Sequence, residues 1–98
     1  MNAEDLVERA QTAAKDHLKY ARFVQDAEIF QADAVQDEKW KSAYRACWFE
    51  LEIVNALALD DWESSGKPDD WSATWNERYK KDAEELIANL CAILLQQQ

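Results

Sequence analysis

His17 is the one histidine of this chain, and it directly follows Asp16, a combination that could supply acid–base chemistry. Adjacent residues of a helix point about 100° apart, so Asp16 is not placed to orient the imidazole ring. A nucleophile is also missing, because no serine lies in a Gly-x-Ser-x-Gly motif. The serines are Ser42, Ser64, Ser65 and Ser72. We therefore expect His17 to be a partly buried side chain on an alanine-rich helix face, and we expect no enzymatic activity.

Metal sites need sets of ligands that this sequence does not supply. A di-iron site in a helical bundle takes a Glu-x-x-His unit from each of two helices, and one histidine cannot serve both. The cysteines lack the Cys-x-x-Cys spacing of zinc sites. Residues 61–72 resemble a calcium-binding loop in length, but Ser72 stands where the bidentate Glu belongs. We expect neither a metal nor another cofactor.

The two cysteines, Cys47 and Cys91, fall on apolar helix faces, where a thiol usually behaves as a small hydrophobic group. If the helices that carry them are antiparallel, Cys91 lies about 12 Å further along the bundle axis than Cys47. A disulfide needs Cα atoms within about 7 Å of each other. We expect two free thiols, as in proteins of a reducing compartment.

The overall charge limits the ligands that this chain can attract. Twenty acidic and eleven basic residues give a net charge of −9, which repels nucleic acid and anionic membranes. Residues 1–5 lack the order of a signal peptide, and no apolar run of about 18 residues could span a membrane. The sequence therefore predicts a cytoplasmic protein, in the host cytoplasm if it is phage-encoded. We expect a basic protein as its partner, with no direct binding of nucleic acid or membrane.

Acidic residues are concentrated in residues 60–70, which hold five carboxylates, one lysine and the only Gly and Pro of the chain. This composition predicts a loop. Trp62 lies at its centre, either as a lid over one end of a bundle or as an anchor for a partner. The predicted partner-binding residues are Asp60, Asp61, Trp62, Glu63, Asp69 and Asp70. The other four tryptophans fall on apolar helix faces, which predicts that they are core residues.

Periodic apolar residues predict an all-α fold, a small antiparallel bundle of three long helices in one domain over residues 1–98. The helices span residues 2–35, 37–59 and 71–95, with Gln96, Gln97 and Gln98 as a frayed tail. We expect Asn2 and Asp37 to cap the first two helices, and Asp70 or Asp69 to cap the third. The absence of Gly and Pro from the first segment favours one helix with a kink over two helices split near residues 26–33.

The segment 37–59 is the expected centre of the bundle because it has two apolar faces. One face carries Trp40, Tyr44, Cys47, Trp48, Leu51, Val54 and Ala58, and the other carries Phe49, Ile53, Ala56 and Leu57. A helix that is apolar on two sides is expected to have neighbours on both. A further apolar arc on the first helix, with Phe23, Ala27 and Phe30, is a second candidate for a binding surface.

Three classes of function fit these properties to different degrees. The first is a binding protein that inhibits or neutralises a basic partner, which we expect to be a nucleic-acid-binding protein. Phage inhibitors of nucleic-acid enzymes, anti-CRISPR proteins and immunity proteins for nuclease toxins are small and acidic in the same way. The second is a structural or assembly protein that forms homodimers through apolar helix faces, and the third, an enzyme, is disfavoured. The sequence leaves open whether the protein is a monomer or a homodimer, and whether its charge mimics nucleic acid or only confers solubility.

Overall fold

The computed structural model describes residues 2–33 and 37–95, and within these ranges the chain is helical with no strand. Helix α1 is Ala3–Ala13, α2 is His17–Asp33 and α3 is Glu38–Ser64. Helix α4 (72–95) comprises Ser72–Thr74, a π-helical turn at Trp75–Tyr79 and a longer α-helical part at Lys80–Leu95. The predicted all-α fold is confirmed. The predicted tail at residues 96–98 and part of the predicted turn at Gln36 lie outside the described residues.

The first predicted helix is two helices, α1 and α2, with the break at residues 14–16 rather than at 26–33. Asp16 explains the position of the break, because its Oδ1 accepts a hydrogen bond of 2.8 Å from the backbone N–H of Lys19 and so caps the start of α2. At the N-terminus of α1, Asn2 and Asp5 form a reciprocal capping box. The predicted cap at Asn2 is confirmed, and the expectation of one continuous first helix was wrong.

The four helices form an antiparallel bundle in which each helix packs against the next and α1 packs against α4. The pairing of α2 with α3 brings Tyr20 Oη within 2.7 Å of the Leu51 carbonyl oxygen. The pairing of α3 with α4 brings Trp40 Nε1 within 3.1 Å of the Ile93 carbonyl oxygen. The molecule measures 43 × 20 × 20 Å. None of the described helices is both long enough and apolar enough to cross a lipid bilayer.

The central helix α3 begins as predicted but ends later. Asp37 Oδ1 accepts a hydrogen bond of 2.7 Å from the backbone N–H of Trp40, which confirms the predicted cap. The helix then continues to Ser64, so Asp60, Asp61, Trp62 and Glu63 are helical and their assignment to a loop was wrong. No helix-breaking residue precedes Gly66, whose φ of 90° ends the helix in the left-handed region that glycine favours.

The core lies between the four helices and uses only one face of α3. Tyr44, Leu51 and Ala58 on this face are fully buried. On the opposite face Phe49, Ile53 and Leu57 are 58 %, 44 % and 57 % exposed. The expectation that α3 is covered on two sides was therefore wrong for the part of the molecule that the structure describes. A bundle of four helices places each helix at a corner, where its outer face meets solvent.

The apolar arc on α2 is buried, in contrast to its predicted role as an exposed surface. Phe23, Ala27 and Phe30 are between 0 and 7 % exposed. They pack into the core because the break before α2 allows α1 to fold back along it, with Arg9 of α1 2.7 Å from Asp26 of α2. This arc does not offer a partner a surface.

Candidate binding cleft

An open cleft of about 640 Å³ lies at the end of the bundle where α2 begins, α3 ends and α4 begins. Its walls combine apolar side chains, a histidine and three carboxylates. The lining residues are Asp16, His17, Leu18, Ala21, Leu59, Trp62, Pro68, Asp69, Asp70, Trp71, Ser72 and Trp75. Leu18, which is 63 % exposed, and Leu59 are the apolar side chains most open to solvent. We call this region the acidic cleft.

A cluster of aromatic rings adjoins the acidic cleft, and three of them, His17, Trp71 and Trp75, line it. The His17 ring lies parallel to the Trp75 ring at 5.4 Å between centroids, and Trp71 lies 5.7 Å from His17. Tyr79 stacks on both tryptophans. His17 Nε2 is 2.9 Å from Asn55 Oδ1 of α3, so a hydrogen bond also fixes the imidazole ring. This stacking confirms that His17 is a partly buried side chain.

The π-helical turn at Trp75–Tyr79 is what keeps these rings together on one side of α4. Trp71, Trp75 and Tyr79 recur every four residues, and in a regular α-helix each such step rotates the side chain by about 40°. In the π turn the backbone N–H of Lys80 bonds to the Trp75 carbonyl, five residues back, so the turn holds one more residue. The extra residue compensates for the rotation of the four-residue steps, so the three rings stay on the same side of α4. A run of four-residue spacings was the sequence signal for this turn.

Trp75 also connects the cleft to the break between α1 and α2. Its Nε1 donates a hydrogen bond of 2.9 Å to the Ala14 carbonyl oxygen, a group that the end of α1 leaves without an intrahelical partner. Trp75 itself is completely buried. The tryptophan thus holds the connection between α1 and α2 against the start of α4, next to the wall of the cleft that Asp16 and His17 form.

Three carboxylates surround the mouth of the acidic cleft. Asp70 Oδ1 accepts hydrogen bonds from both the backbone N–H and the hydroxyl of Ser72, at 3.1 and 2.7 Å. These bonds hold the pKa of Asp70 below its usual range, so its carboxylate stays charged. Asp69 is exposed, and Asp16 is held at its position by its role as the cap of α2. No lysine or arginine is among the described residues that line the cleft.

The structure divides the six predicted binding residues into three groups. Trp62, Asp69 and Asp70 line the acidic cleft, where Trp62 Nε1 donates to the Pro68 carbonyl oxygen at 3.0 Å. Asp61 faces α4 instead, and its Oδ2 lies 3.1 Å from Arg78 Nη1 and 2.9 Å from the Tyr79 hydroxyl. Asp60 and Glu63 are exposed on α3 and do not line the cleft.

Sequence reasoning missed the residues that complete the cleft from the side of α2. Asp16 and Leu18 precede and begin this helix, and they lie far from residues 60–70 along the chain. A possible signal was the Asp at position 16, since an Asp before an apolar run can be a helix cap. Because α2 begins directly after the break at residues 14–16, Leu18 in its first turn lies beside the end of α3.

The side chains of the acidic cleft suit it to the recognition of a ligand. The described residues contain no cluster of three or more His, Cys, Asp or Glu side chains that could hold a metal ion. Cys47 and Cys91 are free thiols remote from the cleft lining, and burial raises the pKa of both. Carboxylates beside exposed apolar surface suit a ligand that has both a hydrocarbon stem and a cationic end. No known family model, curated protein or solved structure matches this chain.

Proposed function

We propose that this protein is a binding protein that inhibits a basic partner by holding one of its lysine- or arginine-bearing segments in the acidic cleft. The observation that carries the proposal is the meeting of Asp16, Asp69 and Asp70 with the exposed side chains of Leu18 and Leu59 around one cleft. The hydrocarbon stem of an Arg or Lys packs on the leucines, and its charged end reaches a carboxylate. An arginine can form two parallel hydrogen bonds to one carboxylate.

The remaining charge of the protein supports the same proposal. A net charge of −9 attracts a basic surface from a distance and raises the rate of encounter. Proteins that bind nucleic acid carry the required clusters of Lys and Arg. A side chain held in the cleft is unavailable to a phosphate group, so binding of this protein and of nucleic acid would be mutually exclusive. The protein then acts by occupying a surface and not by catalysis.

A pair of variants with equal loss of charge tests this proposal. Asp69→Asn with Asp70→Asn removes two charges from the cleft, and the Asn side chain at position 70 can still accept the hydrogen bonds from Ser72. Asp60→Asn with Glu63→Gln removes two charges from the outer side of α3. The probe is an arginine-rich peptide of about ten residues, titrated by isothermal calorimetry at low and high salt. Circular dichroism confirms that both variants keep their helix content.

We expect the cleft variant to bind the peptide about tenfold or more weakly, with a smaller difference at high salt because salt screens the charges. The control variant should stay within about threefold of the wild type, since a change of charge alone is a screened, long-range effect. Equal losses in the two variants would show that binding depends on total charge and would contradict a site in the cleft. Unchanged binding in the cleft variant would place the site elsewhere.

A further inference from the structure

We propose that the outer face of α3 is a self-association surface, on which a second copy of this chain pairs in the antiparallel direction. This face carries Phe49, Ile53 and Leu57, which are about half exposed, together with the exposed residues Ala46 and Ala56. Apolar residues at positions 46, 49, 53 and 56 alternate steps of three and four, the spacing of a coiled-coil seam. We call the apolar residues of this face, from Ala46 to Leu57, the α3 seam. It lies opposite Leu51, which is fully buried in the core.

The charges at the two ends of the α3 seam identify the occupant. Lys39 and Arg45 are exposed near the start of this face together with one acid, Glu38, so the start is net positive, whereas Asp60 and Glu63 are exposed near its end. A complementary partner presents an apolar strip with negative charge facing the start of the α3 seam and positive charge facing its end. A second copy of the seam, related to the first by a two-fold rotation, has this arrangement. A C2 interface uses the same patch on both subunits, and this patch is complementary to itself in the antiparallel direction. A parallel pair would place like charges together at both ends.

One register satisfies the apolar pairs and also pairs Lys39 with Glu63. Placing Phe49 against Ile53 of the second copy also places Ala46 against Ala56 of the second copy. The same alignment places Lys39 against Glu63 of the second copy. All three pairs are centred on position 51 of α3, so no bend or shift is needed. The two alanines lie opposite each other near each end of the strip, where they allow the helices to approach closely.

The size of the α3 seam sets the strength that we expect. From Lys39 to Glu63 the helix is about 36 Å long. A strip of this length and one helix wide is at the low end of specific interfaces, which bury about 800 Å² on each partner. We expect a reversible dimer with a dissociation constant on the order of micromolar. Because Trp62, Asp69 and Asp70 of the acidic cleft are not part of the seam, the dimer does not depend on the proposed function.

Sedimentation velocity between about 1 μM and 1 mM protein tests the dimer, with circular dichroism to confirm that each variant is folded. Phe49→Asp introduces a charge at the middle of the α3 seam and should raise the dissociation constant by about tenfold or more. Ile29→Asp introduces the same charge at a half-exposed apolar residue of α2, outside both the α3 seam and the acidic cleft, and should leave the dissociation constant within about twofold of the wild type. A monomer at all concentrations, or a dimer that Phe49→Asp does not weaken, would overturn the proposal.

A charge swap tests the antiparallel register. Lys39→Glu creates two Glu–Glu pairs in the dimer and should weaken it several-fold. Adding Glu63→Lys to the same chain restores two pairs of opposite sign, so the double variant should recover affinity close to that of the wild type. In a parallel dimer residue 39 meets its own copy, and the second substitution would not rescue the first. Absence of the rescue would overturn the antiparallel pairing.

Discussion

The indole N–H groups separate the tryptophans of this protein into two kinds. Four of the five donate to a backbone carbonyl oxygen at 2.9 to 3.1 Å, at Ile93, Val24, Pro68 and Ala14. Trp71 Nε1 is buried and has no acceptor among the described residues. A buried donor without a partner costs roughly 1–3 kcal/mol. The stacking of Trp71 on Tyr79 and against His17 offsets this cost.

Trp71→Phe, at a partly buried position, and Trp75→Phe, at a completely buried one, test this difference. Each substitution shortens an aromatic side chain, but only Trp75→Phe removes a hydrogen bond, the one to Ala14. We expect Trp75→Phe to lower the free energy of unfolding by about 1–3 kcal/mol more than Trp71→Phe. Urea unfolding followed by circular dichroism measures both. Equal losses would show that Trp71 has a hydrogen-bond acceptor in solution.

Sequence reasoning predicted the residues that act within one helical turn. Asn2 and Asp37 cap helices as expected because capping needs only an oxygen-bearing side chain two or three residues before a free N–H. The roles of Asp61 and Trp62 depended on distant groups instead. Arg78 and Tyr79 bind Asp61 from another helix, and no pattern within residues 60–70 indicates this.

At the scale of elements, the apolar pattern of α3 predicted its buried face but not the number of its neighbours. Both apolar faces are visible in the sequence, yet only the face with Leu51 is covered in the core. Periodicity reports which residues share a face and does not report what covers the face. The count of helices was wrong for a related reason, since the break at residues 14–16 uses an Asp cap without Gly or Pro.

Leu51→Ala and Leu57→Ala test the one-sided burial of α3. Both substitutions remove the same atoms from the same helix, but Leu51 is 0 % and Leu57 is 57 % exposed. We expect Leu51→Ala to cost roughly 2–5 kcal/mol of unfolding free energy because it leaves a cavity in the core. Leu57→Ala should cost less than about 0.5 kcal/mol. Urea unfolding followed by tryptophan fluorescence at submicromolar protein measures both without self-association. Similar losses would mean that Leu57 is also covered within the monomer.

At the scale of the whole molecule, two buried tyrosines make the free energy of unfolding fall at alkaline pH. Tyr20 and Tyr44 are fully buried, and their hydroxyl groups donate to the carbonyl oxygens of Leu51 and Ala27 at 2.7 Å. Burial, foremost, raises the pKa of both phenols well above the usual value. In the unfolded chain the phenols ionise near pH 10. The stabilisation that these two phenols contribute is therefore fully present below about pH 10 and is lost as the pH rises further.

We expect the free energy of unfolding to fall by roughly 1.4 kcal/mol per pH unit for each of the two tyrosines above about pH 10. Urea unfolding at several pH values between about 8 and 11 measures the slope. Tyr20→Phe should lower stability at neutral pH by about 1 kcal/mol, because a hydrogen bond is lost, and should make the alkaline slope shallower. A slope that is the same in Tyr20→Phe and the wild type would contradict the assignment.

The acidic cleft could be predicted only in part, because it exists at the scale of the whole molecule. Asp69, Asp70 and Trp62 were identified from the composition of one segment. Leu18 joins them because α2 starts at the same end of the bundle, which depends on the break before it. A surface assembled from three helix ends has no signature in any single stretch of sequence.

The hydrogen bond from Trp75 to Ala14 also has a consequence for the order in which the chain folds. It joins residues that are 61 positions apart, further than the bonds between α2 and α3 at Tyr20 and Tyr44, which span 31 and 17 positions. Closing a longer loop costs more chain entropy, and contacts of long sequence separation slow folding. Contacts between helices that follow each other along the chain, such as Tyr44 with Ala27 and Arg9 with Asp26 at 17 positions each, are thus suited to form first. The hydrogen bond that holds Ala14 against α4 forms only when α4 docks. The mouth of the acidic cleft is therefore among the last parts of this protein to take shape.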